Sequence, residues 1–244
     1  MNEPSPAVRS ELAPTGTLRV GINLSNFLLT AKDAKTGEFK GVAVDLGREL
    51  GRRLGVPVEV TGYPSPGALA DAVSTGAWDV GFLGAEPQRA NQIDFTAAYV
   101  EIEATYLVPP GSPIKTIADV DREGVRIAIS GKSAYDLYLT RHLKHAQLVR
   151  EVGADNVFKR FIEDKLETIA GLRPRLVMDQ ENLPGSQILE GRFTAVQQAI
   201  GTPKGRDASA KYLREFVEDI KATGRVAKAI EKNGVRGLTV APKA

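Results

Sequence analysis

Gly41-Val42-Ala43-Val44-Asp45-Leu46-Gly47-Arg48-Glu49-Leu50-Gly51-Arg52-Arg53-Leu54-Gly55-Val56-Pro57-Val58-Glu59-Val60-Thr61 changes its hydrophobic period once, at Gly55. Before that glycine, Ala43, Leu46, Leu50 and Leu54 recur at helical spacing, with Arg48, Glu49, Arg52 and Arg53 on the opposite face. After it, Val58 and Val60 alternate as in a strand running from Val56 to Thr61. Working outward, Thr17-Leu18-Arg19-Val20-Gly21-Ile22 reads as a short buried strand, followed by a loop with Asp33, Lys35, Thr36, Gly37 and Glu38 at its polar tip. On the other side Leu69, Ala72 and Val73 mark a second helix, stopped at Gly76, and Asp79-Val80-Gly81-Phe82-Leu83 is a third strand. Strand–helix–strand–helix–strand predicts an α/β unit with a mostly parallel sheet and helices on its faces.

The same grammar restarts after the turn-rich Pro109-Pro110-Gly111-Ser112-Pro113. Val125–Ile129 reads as a strand, Ser133–Lys144 as a helix and Leu148–Val152 as a strand. A helix near Asn156–Asp164 and a strand over Thr168–Leu172 follow. Beyond Thr194–Gly201 comes an amphipathic helix carrying Leu213, Phe216, Val217 and Ile220, then a short one with Val226, Ala227 and Ile230. The Pro-rich start ahead of Thr17 reads as loose. The two α/β units show no repeat of sequence.

Composition narrows the function classes. The 244 residues carry 32 basic and 30 acidic side chains, a net charge of +2, and 42% are hydrophobic. That near balance gives no reason to expect nucleic acid or an anionic membrane as partner. There is no cysteine, which excludes disulfides and thiolate metal sites. His142 and His145 lie three apart without nearby carboxylates, a pattern that fits a solvated helix surface better than a metal site. No apolar run reaches the length of a transmembrane helix. The first residues lack the basic region and apolar run of a leader, so either a leader has been removed or the protein is made without one.

Several phrases, in order and spacing, resemble the type II periplasmic solute-binding proteins of family 3, the amino-acid-binding branch of ABC importers. They are Leu18-Arg19-Val20-Gly21, Gly41-Val42-Ala43-Val44-Asp45-Leu46, Gly76-Ala77-Trp78-Asp79-Val80, Pro87-Gln88-Arg89-Ala90 and Ile93-Asp94-Phe95-Thr96-Ala97-Ala98-Tyr99. Through the second half the likeness rests on the pattern of elements. The resemblance implies a two-lobed type II periplasmic-binding-protein fold with a ligand cleft between the lobes and hinge closure on the ligand. Residues 1–107 would form the first part of lobe 1, 108–198 lobe 2, and 199–244 the return to lobe 1. It further implies a small-molecule ligand, an ABC transporter membrane permease as partner, a monomer, no cofactor and a periplasmic address. Without a leader in the native gene the address would be cytoplasmic.

In the resembling family the Arg of the Pro-x-Arg phrase grips the ligand carboxylate, here Arg89, whose planar fork suits that geometry. The bland alternative is a surface Arg pairing with Glu86 or Asp94. Gly131-Lys132-Ser133 follows a predicted strand and opens a predicted helix, a place where backbone amides and the helix dipole favour an anion. Ser133 is also a natural N-cap, with Asp136 completing a capping-box-like start. A nucleotide P-loop would need glycine at 126, where Arg126 stands, so ATP binding is rejected. The loop Asn23–Leu29 is expected to form one wall of the site. The family commonly has an aromatic near Asn26; Phe27, offset by one, either takes that stacking role or belongs to the core. Tyr63 and Gly84, which follow the second and third strands, complete the expected set, while Trp78 reads as packing.

Two departures bear on the ligand. The stretch Asp79–Arg89 is short and lacks the Thr or Ser that helps hold an α-amino group. Leu172, followed by Arg173, falls where the family offers an Asp to that ammonium. Glu86, Glu101 or Glu103 would have to replace it, because a buried ammonium without a carboxylate is costly. The leading expectation is therefore a binding protein for a carboxylate-bearing or amino-acid-like solute. The alternatives are a cyclohexadienyl-dehydratase-like enzyme using Glu86 or Glu167 with Lys132, and a cytoplasmic scavenger or sensor module.

Overall fold

A computed structural model describes residues 3–244. The chain divides into two units, one running up to Glu101 and resuming over Gln197–Ala244, the other Ile102–Val196. The first unit opens with α1 (Pro6–Leu12), not a loose segment. The Ser5 hydroxyl accepts the Val8 N–H, Pro6 fills a first-turn position, and Val8 and Leu12 are buried. That Ser-Pro pair is a start signal, since proline lacks only an N–H that the first turn leaves unsatisfied anyway. There follow β1 (Leu18–Asn23), the small antiparallel pair β2 (Ala31–Lys32) and β3 (Phe39–Lys40), and α2 (Val42–Leu54). Gly55 ends α2 in left-handed backbone, φ 71°. β4 (Val58–Tyr63), α3 (Pro66–Asp71) with a 3-10 turn to Thr75, β5 (Val80–Gly84) and the long β6 (Ile93–Val108) complete this segment.

The second unit holds β7 (Arg126–Ser130), α4 (Ala134–His142), β8 (Gln147–Glu151), α5 (Ala154–Glu163), β9 (Thr168–Leu172), α6 (Arg173–Glu181) and β10 (Gln187–Ile188), and β11 (Thr194–Pro203) begins in it and continues into the first unit. β7 runs parallel to β8 and β9, and β9 is antiparallel to β6. Its core has two faces: Ile127, Ile129, Tyr106 and Leu139 on one, Ala128, Ile169, Phe161 and Leu176 on the other. That is the alternation expected of a sheet covered on both sides.

The chain returns through α7 (Asp207–Ala222), α8 (Arg225–Lys232) and β12 (Thr239–Val240). β1 is the parallel centre of the first unit's sheet, between β4 and β5, and β11 lies antiparallel to β5. In hydrogen-bonded order the strands run β4-β1-β5-β11-β6-β9-β7-β8, and the boundaries of the two units fall inside β6 and β11. Asp79, fully buried, ties this unit's ends together: it accepts from Arg19 at 2.8 Å and Arg206 at 3.0 Å, and Arg206 also donates to the Glu11 carbonyl. Among the described residues no helix is long and apolar enough to cross a membrane.

Candidate functional site

In the first unit, β5 ends at Gly84 and the chain turns through Glu86 into a 3-10 turn that begins at Arg89. Arg89 is only 7% exposed, and its Nη1 donates to the Gly84 carbonyl at 2.6 Å. Burial pushes its pKa down to about 10, opposed by the charges of Glu86 and Asp71, so it remains a cation at neutral pH. Gly84 and Arg89 are thus brought together; burial corrects the surface placement in the alternative reading, while the charge of Glu86 acts on the guanidinium.

The loop after β1 folds on itself. Asn26 is buried and its side chain accepts the Leu28 N–H at 3.3 Å, so it serves the loop's own backbone. Phe27 is 44% exposed, which excludes the core role. The loop's base is joined to Tyr63 by the Leu24 N–H, which donates to the Tyr63 carbonyl at 2.9 Å. Tyr63 is half-buried against the cluster of Leu69, Trp78 and Ile93, and Trp78 is fully buried, with its Nε1 donating to the Leu69 carbonyl.

In the second unit, Gly131-Lys132-Ser133 joins β7 to α4. Ser133 caps α4, its hydroxyl accepting the Asp136 N–H at 3.1 Å. Asp136 does not complete a capping box; its Oδ2 accepts the Lys132 N–H at 2.8 Å instead, and Lys132 is held at φ 57°, left-handed for a residue with a side chain. Arg150, from β8, donates to Asp136 Oδ1 at 2.9 Å. The Gly131 N–H is given to the Glu151 carbonyl and the Ser133 N–H to the Ser130 carbonyl. The amides of 131–133 are therefore used within the unit, correcting the expectation that they offer an anion cradle. What this end of α4 can present is the Ser133 hydroxyl and the N–H groups of Ala134 and Tyr135, which a helix's first turn leaves without intrahelical acceptors. Tyr135 hydrogen-bonds Ser133 and Ser130, and burial pushes its hydroxyl pKa up.

Leu172 ends β9 and packs with Ala104, Ala134 and Val196, which puts it beside the start of α4. Arg173 donates from Nε to Glu103 at 2.8 Å and also bonds the Gly191 carbonyl, and Arg192 approaches the same carboxylate at 3.6 Å. Glu103, one of three candidate partners for a ligand ammonium, is thus engaged by two arginines. Glu167 bonds Arg126 at 2.9 Å beside the start of β7, whereas Lys132 follows its end, roughly 17 Å along the strand at about 3.3 Å per residue. Glu167 and Lys132 are not an acid/base pair. His142 stacks on Tyr138, and its Nδ1 lies 2.7 Å from the Tyr138 carbonyl, on the surface. Asp136 and Arg150 are the residues sequence reasoning undervalued; their fourteen-residue separation carries no local signal.

The sequence profile of the bacterial extracellular solute-binding proteins, family 3, matches residues 18–235. The ABC transporter glutamine-binding protein GlnH of Bacillus subtilis (strain 168) is 21% identical over 232 residues, covering 87% of this chain and 79% of that protein. The crystal structure of the solute receptor for L-cysteine of Neisseria gonorrhoeae superposes with a TM-score of 0.79 at 19% identity, covering 98% of this chain and 100% of that one. The ancestral amino acid-binding protein AncCDT-1, a precursor of cyclohexadienyl dehydratase, gives a TM-score of 0.74 at 22% identity, covering 91% of this chain and 97% of that one. At these identities the structures establish the fold, the α/β architecture of the two-lobed type II periplasmic binding proteins. With the profile spanning nearly all of both units, the chain belongs to the bacterial extracellular solute-binding proteins, family 3.

Proposed function

We infer that this protein is the substrate-binding component of an ABC-type importer and delivers a small carboxylate-bearing solute to a membrane permease without changing it. Arg89 of the first unit grips the carboxylate. The Ser133 hydroxyl and the first turn of α4 in the second unit add donors, with Tyr63 and Phe27 offering aromatic surface. The observation that carries the ligand class is the state of Leu172 and Glu103. Leucine stands where the resembling family offers Asp to an α-ammonium, and Glu103 is already bonded to Arg173 and Arg192. An α-amino group would meet no available carboxylate there, which favours a ligand without one.

Native mass spectrometry of freshly purified protein tests this reading. The expected result is a retained small acid that reappears unchanged after denaturation and incubation. A compound converted to a product on incubation with the protein would replace the binding role with an enzymatic one.

A further inference from the structure

A concavity apart from the candidate site residues lies in the first unit between α2 and α8, with a volume of about 430 Å³. Two stripes line it. Asp45, Arg48, Glu49 and Arg52 follow one another on α2 at spacings of three, one and three; Arg225, Lys228, Ala229 and Lys232 repeat those spacings on α8. Such spacing puts each stripe on one helix face.

The charges are layered. Asp45 and Glu49 lie low, with 17% and 13% of their side chains exposed, and hold the two helices together through Lys232 at 2.8 Å and Arg225 at 3.5 Å, while Arg52 pairs with Glu49 within α2 at 2.8 Å. The guanidinium of Arg52 holds the Glu49 carboxyl down at about 2, so this floor stays ionised. The cations form the rim: Arg48 and Arg225 at 47% exposed, Arg52 at 64% and Lys232 at 69%. Lys228 joins them, exposed and without an ion pair among the described residues. Five cations face Asp45 and Glu49, with Glu38 on Arg48 at 2.9 Å as a third carboxylate, a surplus of two positive charges. Three of the five cations are arginines, whose planar forks match phosphate oxygens in pairs.

We propose that the α2–α8 groove is a binding site for a ligand bearing two or more phosphate groups, bridged between the two stripes. A single carboxylate would satisfy one cation and leave the opposite stripe unused; linked phosphates reach both. The ligand is either a soluble polyphosphate compound or the headgroups of an anionic phospholipid surface.

Calorimetric titration with sodium tripolyphosphate at low ionic strength tests the site, with sedimentation on phosphatidylglycerol–phosphatidylcholine vesicles as a second arm. The expected result is saturable binding that weakens as salt rises. It should fall at least tenfold in Arg225→Gln/Lys228→Gln and in Arg52→Gln. It should be unchanged in Lys115→Gln/Lys144→Gln, which removes the same charge from exposed positions of the second unit. Loss confined to the groove variants in the tripolyphosphate arm assigns a soluble ligand; loss confined to them in the vesicle arm alone assigns lipid headgroups. No binding in either arm overturns the proposal, as does an equal loss in the control variant, which would mean diffuse attraction to net charge.

Discussion

Arg89 holds its charge almost out of water, with the Gly84 carbonyl 2.6 Å from Nη1. The charges of Glu86 and Asp71 act on it from within the unit. Arg89→Ala is expected to weaken binding of the solute identified by mass spectrometry more than tenfold, because charged hydrogen bonds are worth about 1.5–3 kcal/mol each. Arg89→Lys keeps the charge but not the fork and should fall between the two; unchanged affinity of the alanine variant in calorimetry removes Arg89 from the site. Glu49 is a different case, a carboxylate serving stability. Its folded pKa of about 2 lies below the ordinary 4.5, so its stabilisation is complete above pH 4.5 and is lost as pH falls toward 2. Glu49→Gln should therefore cost about 1–2 kcal/mol at neutral pH, with the deficit closing to nothing near pH 2. Chemical denaturation of both proteins across that range measures it, and a deficit independent of pH would mean the loss is steric.

Elements were legible where period and punctuation agreed. α2 shows both a helical stripe and a terminal glycine, and β9 was placed at Thr168–Leu172, where the structure has it. α6 was not seen, for a physical reason: Val177 and Met178 are 44% and 46% exposed while Leu176 and Asp179 are buried, so its polarity does not follow its burial. α1 was missed by reading proline as a breaker when, behind Ser5, it marks a beginning. Of the candidate site, Arg89 stands out by its phrase, but the Asp136–Arg150 brace depends on strand pairing that brings β8 beside β7. At the end of α5, Lys165 sits at φ 49°, and the Leu166 N–H closes onto the Phe161 carbonyl at 3.1 Å, a position that ordinarily takes glycine. Lys165→Gly should raise stability by about 0.5–1 kcal/mol through relief of left-handed strain. A lower midpoint in urea would show that the lysine side chain contributes more than its backbone costs.

At the scale of the whole molecule, the ligand's character follows from which charges the two units can meet. A zwitterionic amino acid needs a cation for its carboxylate and an anion for its ammonium, both desolvated. On the proposed reading Arg89 would supply the first. Leu172, packed among Ala104, Ala134 and Val196, offers no carboxylate for the second, and Glu103 is shared by Arg173 and Arg192. Arg173, next to Leu172, is held by Glu103 at 2.8 Å. Weak or no binding of the common α-amino acids is therefore expected, with clear binding of an acid that lacks the free α-amine. Thermal-shift measurements on matched pairs, each amino acid beside its deaminated analogue, test this directly, since a ligand at a hundred times its dissociation constant adds about 2.7 kcal/mol of stability. A large shift with an α-amino acid and none with its analogue would mean that another carboxylate, with Glu86 and Glu101 the first to replace by glutamine, has taken over the ammonium, and that Leu172 is not where specificity is set.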